Sequence, residues 1–219
     1  MKMLKKRMRN DRLTPGLIVL LLGLVGLSSC GGNDPTPKPK GYYKIELPDK
    51  SYQQYTSEVC PFSFEYPEYA EVQQDSVFFD RNPPNPCWLN LSFPQFSGTI
   101  HISYKKIGEG EALVNLIEDM HELTFKHTLK AEYIDKRRIR GDEENVTGLM
   151  YEVGGNAASS TQFFVTDSAN HFLRGALYFS TTPNEDSLAP VVNFVKKDIQ
   201  HMVKTFQWTD TTLQKVKSL

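Results

Sequence analysis

Apolar and polar positions alternate with period two in three stretches of the chain's first half. In residues 60–67 (CPFSFEYP), Phe62, Phe64 and Tyr66 fall on one side and Ser63 and Glu65 on the other, which predicts a half-buried strand. Leu89, Leu91 and Phe93 share a side in residues 87–93, as do Ile100, Ile102 and Tyr104 in residues 99–104. Pro94-Gln95-Phe96-Ser97-Gly98 reads as the hairpin-like connection between them. From about Glu111 the period turns helical, with Leu113, Leu116, Ile117, Met120, Leu123 and Thr124 forming one stripe. A second set of strands is expected over residues 146–153, 161–167 and 171–180. A second helix follows over about 188–206, capped by Ser187, with Pro190 in its first turn. Strand hairpins followed by a single helix, twice over, point to an α+β fold: a mainly antiparallel sheet packed with two main helices.

The amino-terminal segment does not belong to that pattern. Six basic residues (Lys2, Lys5, Lys6, Arg7, Arg9, Arg12) precede an unbroken apolar run, LIVLLLGLVGL, over residues 17–27. As a helix this run spans about 16 Å, short of the roughly 30 Å of a bilayer core, so a signal peptide fits better than a stable membrane span. The tetrapeptide Leu27-Ser28-Ser29-Cys30 resembles a bacterial lipobox, in which the cysteine is lipidated and cleavage occurs just before it. Several acyl chains, at roughly 0.8 kcal/mol per buried CH₂, would hold the protein at a membrane. The segment GGNDPTPKPKG that follows has three Pro and three Gly and no apolar period, so it reads as an extended tether. Gly31 stands where lipoproteins retained in the inner membrane of enteric bacteria carry aspartate, which favours an outer-membrane anchor facing the periplasm. The expected organisation is a leader over 1–29, a lipid-anchored tether over 30–41, one globular domain over 42–208 and a polar tail over 209–219.

Location of the charges changes what the net value means. The whole chain carries 25 Lys+Arg against 26 Asp+Glu, but with the leader removed 19 basic groups face 25 acidic ones. An acidic body argues against a nucleic-acid binder, which needs a basic surface to displace phosphate counterions. Beyond Cys30 two cysteines remain, Cys60 and Cys87. In a chain sent out of the cytosol, such a pair is most simply a disulfide; a metal pair or redox dithiol is the alternative, but no CxxC is present.

A search for chemistry finds no persuasive constellation. Glu118 and His121 share a helix face, yet His121-Glu122 is followed by Phe125 where HExxH needs its second histidine. His101, His127, His171 and His201 stand apart from one another in sequence. The run Gly154-Gly155-Asn156-Ala157-Ala158-Ser159-Ser160 between two strands fits neither a phosphate loop nor a GxSxG elbow. It reads as a wide turn whose glycines supply positive φ and whose small side chains permit close approach, a candidate partner-docking loop. KRRIR over 136–140 is the body's one basic cluster, followed at once by Asp142, Glu143 and Glu144, so a locally neutralised, solvated edge is expected. Asp75-Ser76-Val77, Asp167-Ser168-Ala169, Asp186-Ser187-Leu188 and Asp210-Thr211-Thr212 resemble the O-glycosylation tripeptide of secreted Bacteroidetes proteins. No enzyme activity, cofactor or metal is expected.

Longer phrases carry a more specific likeness. PKPKGYYKIELP (37–48), CPFSFEYPEYA (60–70), CWLNLSFPQFSGTIHISYK (87–105) and YEVGGNAASSTQFFVTDSANHFLRGALYF (151–179), with a final helix leading to Phe206 and Trp208, resemble the gliding motility lipoproteins GldD of the Bacteroidetes. That resemblance spans residues 37–208 and implies a lipoprotein needed for gliding, in a system overlapping type IX secretion, with partners among that machinery. It supplies no catalytic residues, so a scaffold or assembly role is expected. The rival expectation is an envelope enzyme or small-ligand binder using a cleft near Ser159 and His171. FSFEYP and the closing helix also look like the α/β/α sandwich of the PsbP/Mog1 group, a likeness that bears on fold alone.

Overall fold

A computed structural model describes residues 44–74, 85–108, 112–126 and 130–209. The leader, Cys30, the tether, His127, residues 75–77 and the tail from 210 lie outside the described residues. The described residues belong to one compact unit.

Its elements run β1 (Tyr52–Tyr55), β2 (Phe62–Pro67), β3 (Glu71–Gln74), β4 (Leu89–Phe93), β5 (Gly98–Lys106), α1 (Leu113–Phe125), β6 (Ala131–Arg140), β7 (Thr147–Gly155), β8 (Ser159–Thr166), β9 (His171–Phe179), α2 (Glu185–Lys204) and β10 (Gln207–Trp208). Seven strands form a sheet in the order β3-β4-β5-β9-β8-β7-β6, and β1-β2-β10 form a second, smaller one. Every pairing is antiparallel, as the alternating pattern predicts.

Alternate residues of the large sheet's central strands divide between two cores, one on each face. Met150, Phe163, Val165, Leu173 and Leu177 pack with Phe62, Phe64 and the inner stripe of α2 (Val191, Val195, Ile199, Met202). Their neighbours Tyr151, Phe164 and Phe172 turn to the opposite face and meet Leu116 and Met120 of α1. The result is three layers: α1, the seven-stranded sheet, then α2 beside the small sheet. β8 is buried on both faces although much of it is polar, with Ser159, Thr161, Gln162 and Thr166 all enclosed.

Cys60 and Cys87 form a disulfide across a Cα–Cα distance of 5.4 Å. It ties the residues just before β2 to those just before β4, and so joins the small sheet to the large one.

Two expectations about α2 are corrected. The cap of α2 is Asn184, whose side chain accepts from the Ser187 amide at 3.1 Å. Ser187 is therefore the third helical residue, and Pro190 stands beyond the first turn. The 136–140 cluster, expected at a solvated edge, lies in the ten-residue strand β6 at the edge of the large sheet.

Candidate functional site

Gly154 and Gly155 complete β7, Asn156, Ala157 and Ala158 make the turn, and Ser159 and Ser160 open β8. Facing this turn, β6 carries a bulge: Ala131 pairs with Gly155 and Ile134 with Val153, so Glu132 and Tyr133 occupy one place opposite Gly154. The bulge lays the Tyr133 ring over Gly154, where an added Cβ would stand 2.0 Å from a ring carbon. Gly155 has φ +83, and its Cβ would stand 2.8 Å from the Glu132 amide nitrogen. Both glycines are thus demanded by geometry, one by close approach and one by the left-handed backbone.

The turn is clamped to the start of α2 by reciprocal hydrogen bonds. The Gly155 amide donates to Glu185 Oε2 at 2.8 Å, and the Glu185 amide donates to Asn156 Oδ1 at 3.1 Å. A carboxylate in the first turn also suits the positive end of the helix dipole.

Between turn and helix lies a pocket of about 130 Å³, with Tyr133, Glu152, Ser160, Thr161 and Lys196 among its walls. Tyr133, at 51% exposure, stands at its side. Lys196 Nζ donates to Glu152 Oε2 at 3.1 Å, and Arg137 lies 3.5 Å from the other oxygen, close enough for an ion pair but without hydrogen-bond geometry. The pocket's charge is therefore nearly balanced. Thr161 is 1% exposed, yet its Oγ1 has no hydrogen-bond partner among the described residues, and neither has Ser160 Oγ. Buried hydroxyls are ordinarily paired because leaving one unmade costs about 1–3 kcal/mol. The pocket is of side-chain size rather than the roughly 300–1,000 Å³ of a cofactor site.

A second, more open groove of about 750 Å³ lies between α1 and the bare face of β4, β5 and β9. Arg174 lies along it, donating from Nε to Met120 Sδ at 3.0 Å and from Nη2 to Gln162 Oε1 at 3.1 Å. Burial pulls its guanidinium below the ordinary arginine range, opposed by Tyr178.

The residues of the rival reading do not converge. Ser159 pairs with Tyr178 at one end of β9, while His171 begins the strand at the other, roughly 23 Å away at strand rise. Ser159 is buried and donates to the Thr161 carbonyl at 3.4 Å, and His171 bonds the Tyr104 hydroxyl at 2.7 Å and stacks on Trp208. Among the described residues the two therefore share no cleft. His101 bonds Asn90, His121 meets the Tyr151 hydroxyl, and His201 bonds Glu65 at 2.6 Å while stacking on Tyr52. Among the described residues no group of three or more His, Cys, Asp or Glu is placed to hold a metal.

A model of the gliding motility lipoprotein GldD family matches residues 32–208. The chain belongs to that family. The GldD assignment makes it a lipoprotein of gliding motility, lipid-anchored in the cell envelope and working with other components of that machinery. No curated protein is significantly similar to it. Among solved structures it is similar to that of cyanobacterial PsbP (CyanoP) from Synechocystis. The two share 11% identity at a TM-score of 0.43, over 78% of this chain and 99% of that one.

Within the docking run named from sequence, only Asn156 and Ala158 are exposed; Ala157 and Ser159 are buried. Tyr133 and Thr161 were not legible as site residues. Tyr133 is placed by a bulge and Thr161 by loss of a partner, and neither leaves a mark on one strand's sequence.

Proposed function

We propose that this domain is a non-catalytic docking module of the gliding and type IX secretion apparatus. Lipid on Cys30 fixes it to the outer membrane, facing the periplasm, and the 30–41 tether presents it. The observation that carries the reading is the pocket between the 154–160 turn and α2. Its glycines, bulge and reciprocal clamp hold a rigid rim, and its unpaired hydroxyls sit beside an exposed tyrosine. Rigid aromatic rims around small desolvated pockets are where protein partners seat single anchoring side chains.

The test is motility on a surface, with protein level and envelope fractionation measured in parallel. Ala158→Arg, at an exposed rim position, is expected to abolish spreading while level and location stay unchanged. Ser159→Ala and His171→Ala are expected to spread normally. Loss of motility in both of these, at normal level and location, would favour catalysis and sink the docking reading.

A further inference from the structure

The outer edge of β6 is the longest unpaired feature of the large sheet. The strand runs ten residues, Ala131–Arg140, and pairs only with β7 among the described residues. Edge strands are usually short, bulged or charged, since their free N–H and C=O groups template pairing with other chains. Here the bulge lies at the start, between Ala131 and Ile134, and residues 134–140 keep an unbroken register with β7. Among the described residues, a regular edge of seven residues is left without a strand partner.

On its α1 side, the charges of residues 134–140 are all positive. Lys136, Arg138 and Arg140 alternate along the strand and face the α1 side, beside Tyr151 and Leu149 of β7. All three are exposed, and none forms an ion pair among the described residues. Asp142, Glu143 and Glu144 follow in the next turn and form no ion pair with them among the described residues. The only ion pair of this strand among the described residues is Arg137 with Glu152, on the opposite face.

We infer that the outer edge of β6 takes an extended acidic segment of a partner protein as an eighth, antiparallel strand, with Asp or Glu at alternate positions opposite Lys136, Arg138 and Arg140. This rests on the reading of the domain as a docking module. Strand addition supplies main-chain hydrogen bonds for affinity, and the side chains on one face supply selection. Cross-strand opposite charges favour such a pair and like charges oppose it. The same rule disfavours a second copy of this chain: antiparallel self-pairing centred on Arg138 sets Lys136 against Arg140 and Arg138 against itself.

The experiment uses the mature lipoprotein in detergent and two synthetic peptides of about ten residues. Both alternate Val or Thr with a charged residue, Glu in one and Lys in the other. Fluorescence anisotropy is expected to show the Glu peptide binding at least about tenfold more tightly, weakening with salt. Amide exchange should slow specifically over residues 134–140. Lys136→Glu/Arg138→Glu/Arg140→Glu should reverse the preference, and its binding of the Lys peptide reports that the variant is folded. Equal binding of both peptides, binding of neither, or binding without protection of β6 overturns the inference. The rim variant Ala158→Arg should bind the Glu peptide normally, so failure at the edge and failure at the pocket are read separately.

Discussion

Lys50 and Asp198 meet at 2.5 Å between the segment entering β1 and the buried face of α2. The Asp198 side chain is 1% exposed and also accepts hydrogen bonds from Tyr52 and Tyr69, while Lys50 Nζ lies 3.6 Å from the Phe194 ring centroid. Removing one partner of a buried pair strands the other charge, at a cost of about 3–5 kcal/mol when both are fully enclosed. The two partners differ in exposure. Lys50→Met leaves the carboxylate sealed with only tyrosines, whereas Asp198→Asn keeps an acceptor for them and releases a lysine that is already 26% exposed. Urea unfolding should therefore show Lys50→Met losing more stability than Asp198→Asn.

Tyr52 gives the fold an alkaline dependence. Burial, then its hydrogen bond to Asp198 and the charges of Asp198 and Glu65, push its hydroxyl up from 10.0 to about 12. The native state holds this proton more tightly than the unfolded chain does. The resulting stability is complete below pH 10.0 and is lost as pH rises toward 12. Tyr55, Tyr69, Tyr133 and Tyr151 are raised as well, so phenolate absorbance should show Tyr52→Phe losing one step among several late-titrating tyrosines, and the variant's stability should fall less steeply across that window.

Gly155→Ala should be more disruptive than an ordinary surface substitution. A left-handed non-glycine backbone costs about 1–2 kcal/mol, and the new Cβ would press on the Glu132 amide at 2.8 Å. Losing the Gly155 amide's alignment also releases Glu185. Thermal unfolding should record the loss, and Glu185→Ala should reproduce the smaller part that belongs to the clamp, about 1 kcal/mol.

The Cys60–Cys87 bridge closes a loop with a sequence separation of 27. Constraint of the unfolded chain at that length is worth about 3–4 kcal/mol. Cys60→Ser/Cys87→Ser should show this difference in denaturant, and reducing agent should bring the parent protein to the same midpoint.

Much of the architecture was legible because burial on one face writes itself as alternation. Phe62 and Phe64, Leu89 to Phe93, and Ile100 to Tyr104 all form the strands their spacing predicts. Strands without that asymmetry were missed. Tyr52-Gln53-Gln54-Tyr55 and Glu71-Val72-Gln73-Gln74 are short and largely exposed, and β6 presents charge on both faces. Asn184 and Ser187 are both capping types three residues apart, and only the backbone decides which one accepts. The candidate site was half legible: glycines mark a turn by themselves, but the pocket depends on Tyr133 and Lys196 arriving from other elements. Ser159 and His171 looked associable only because sequence does not reveal that they sit at opposite ends of the β8–β9 pair.

The disulfide also governs how the fold answers to a pull. Traction on the chain ahead of Lys44 must first break the Lys50–Asp198 latch and then peel β1 from β2. Unravelling stops at Cys60, because β2 and β3 lie inside the covalent loop. Beyond that point tension bypasses both strands and passes through Cys87 into β4 and the seven-stranded sheet. With the protein held through Cys30 as proposed above, the bridge would stop extension at Cys60 and carry load to the larger sheet of the domain.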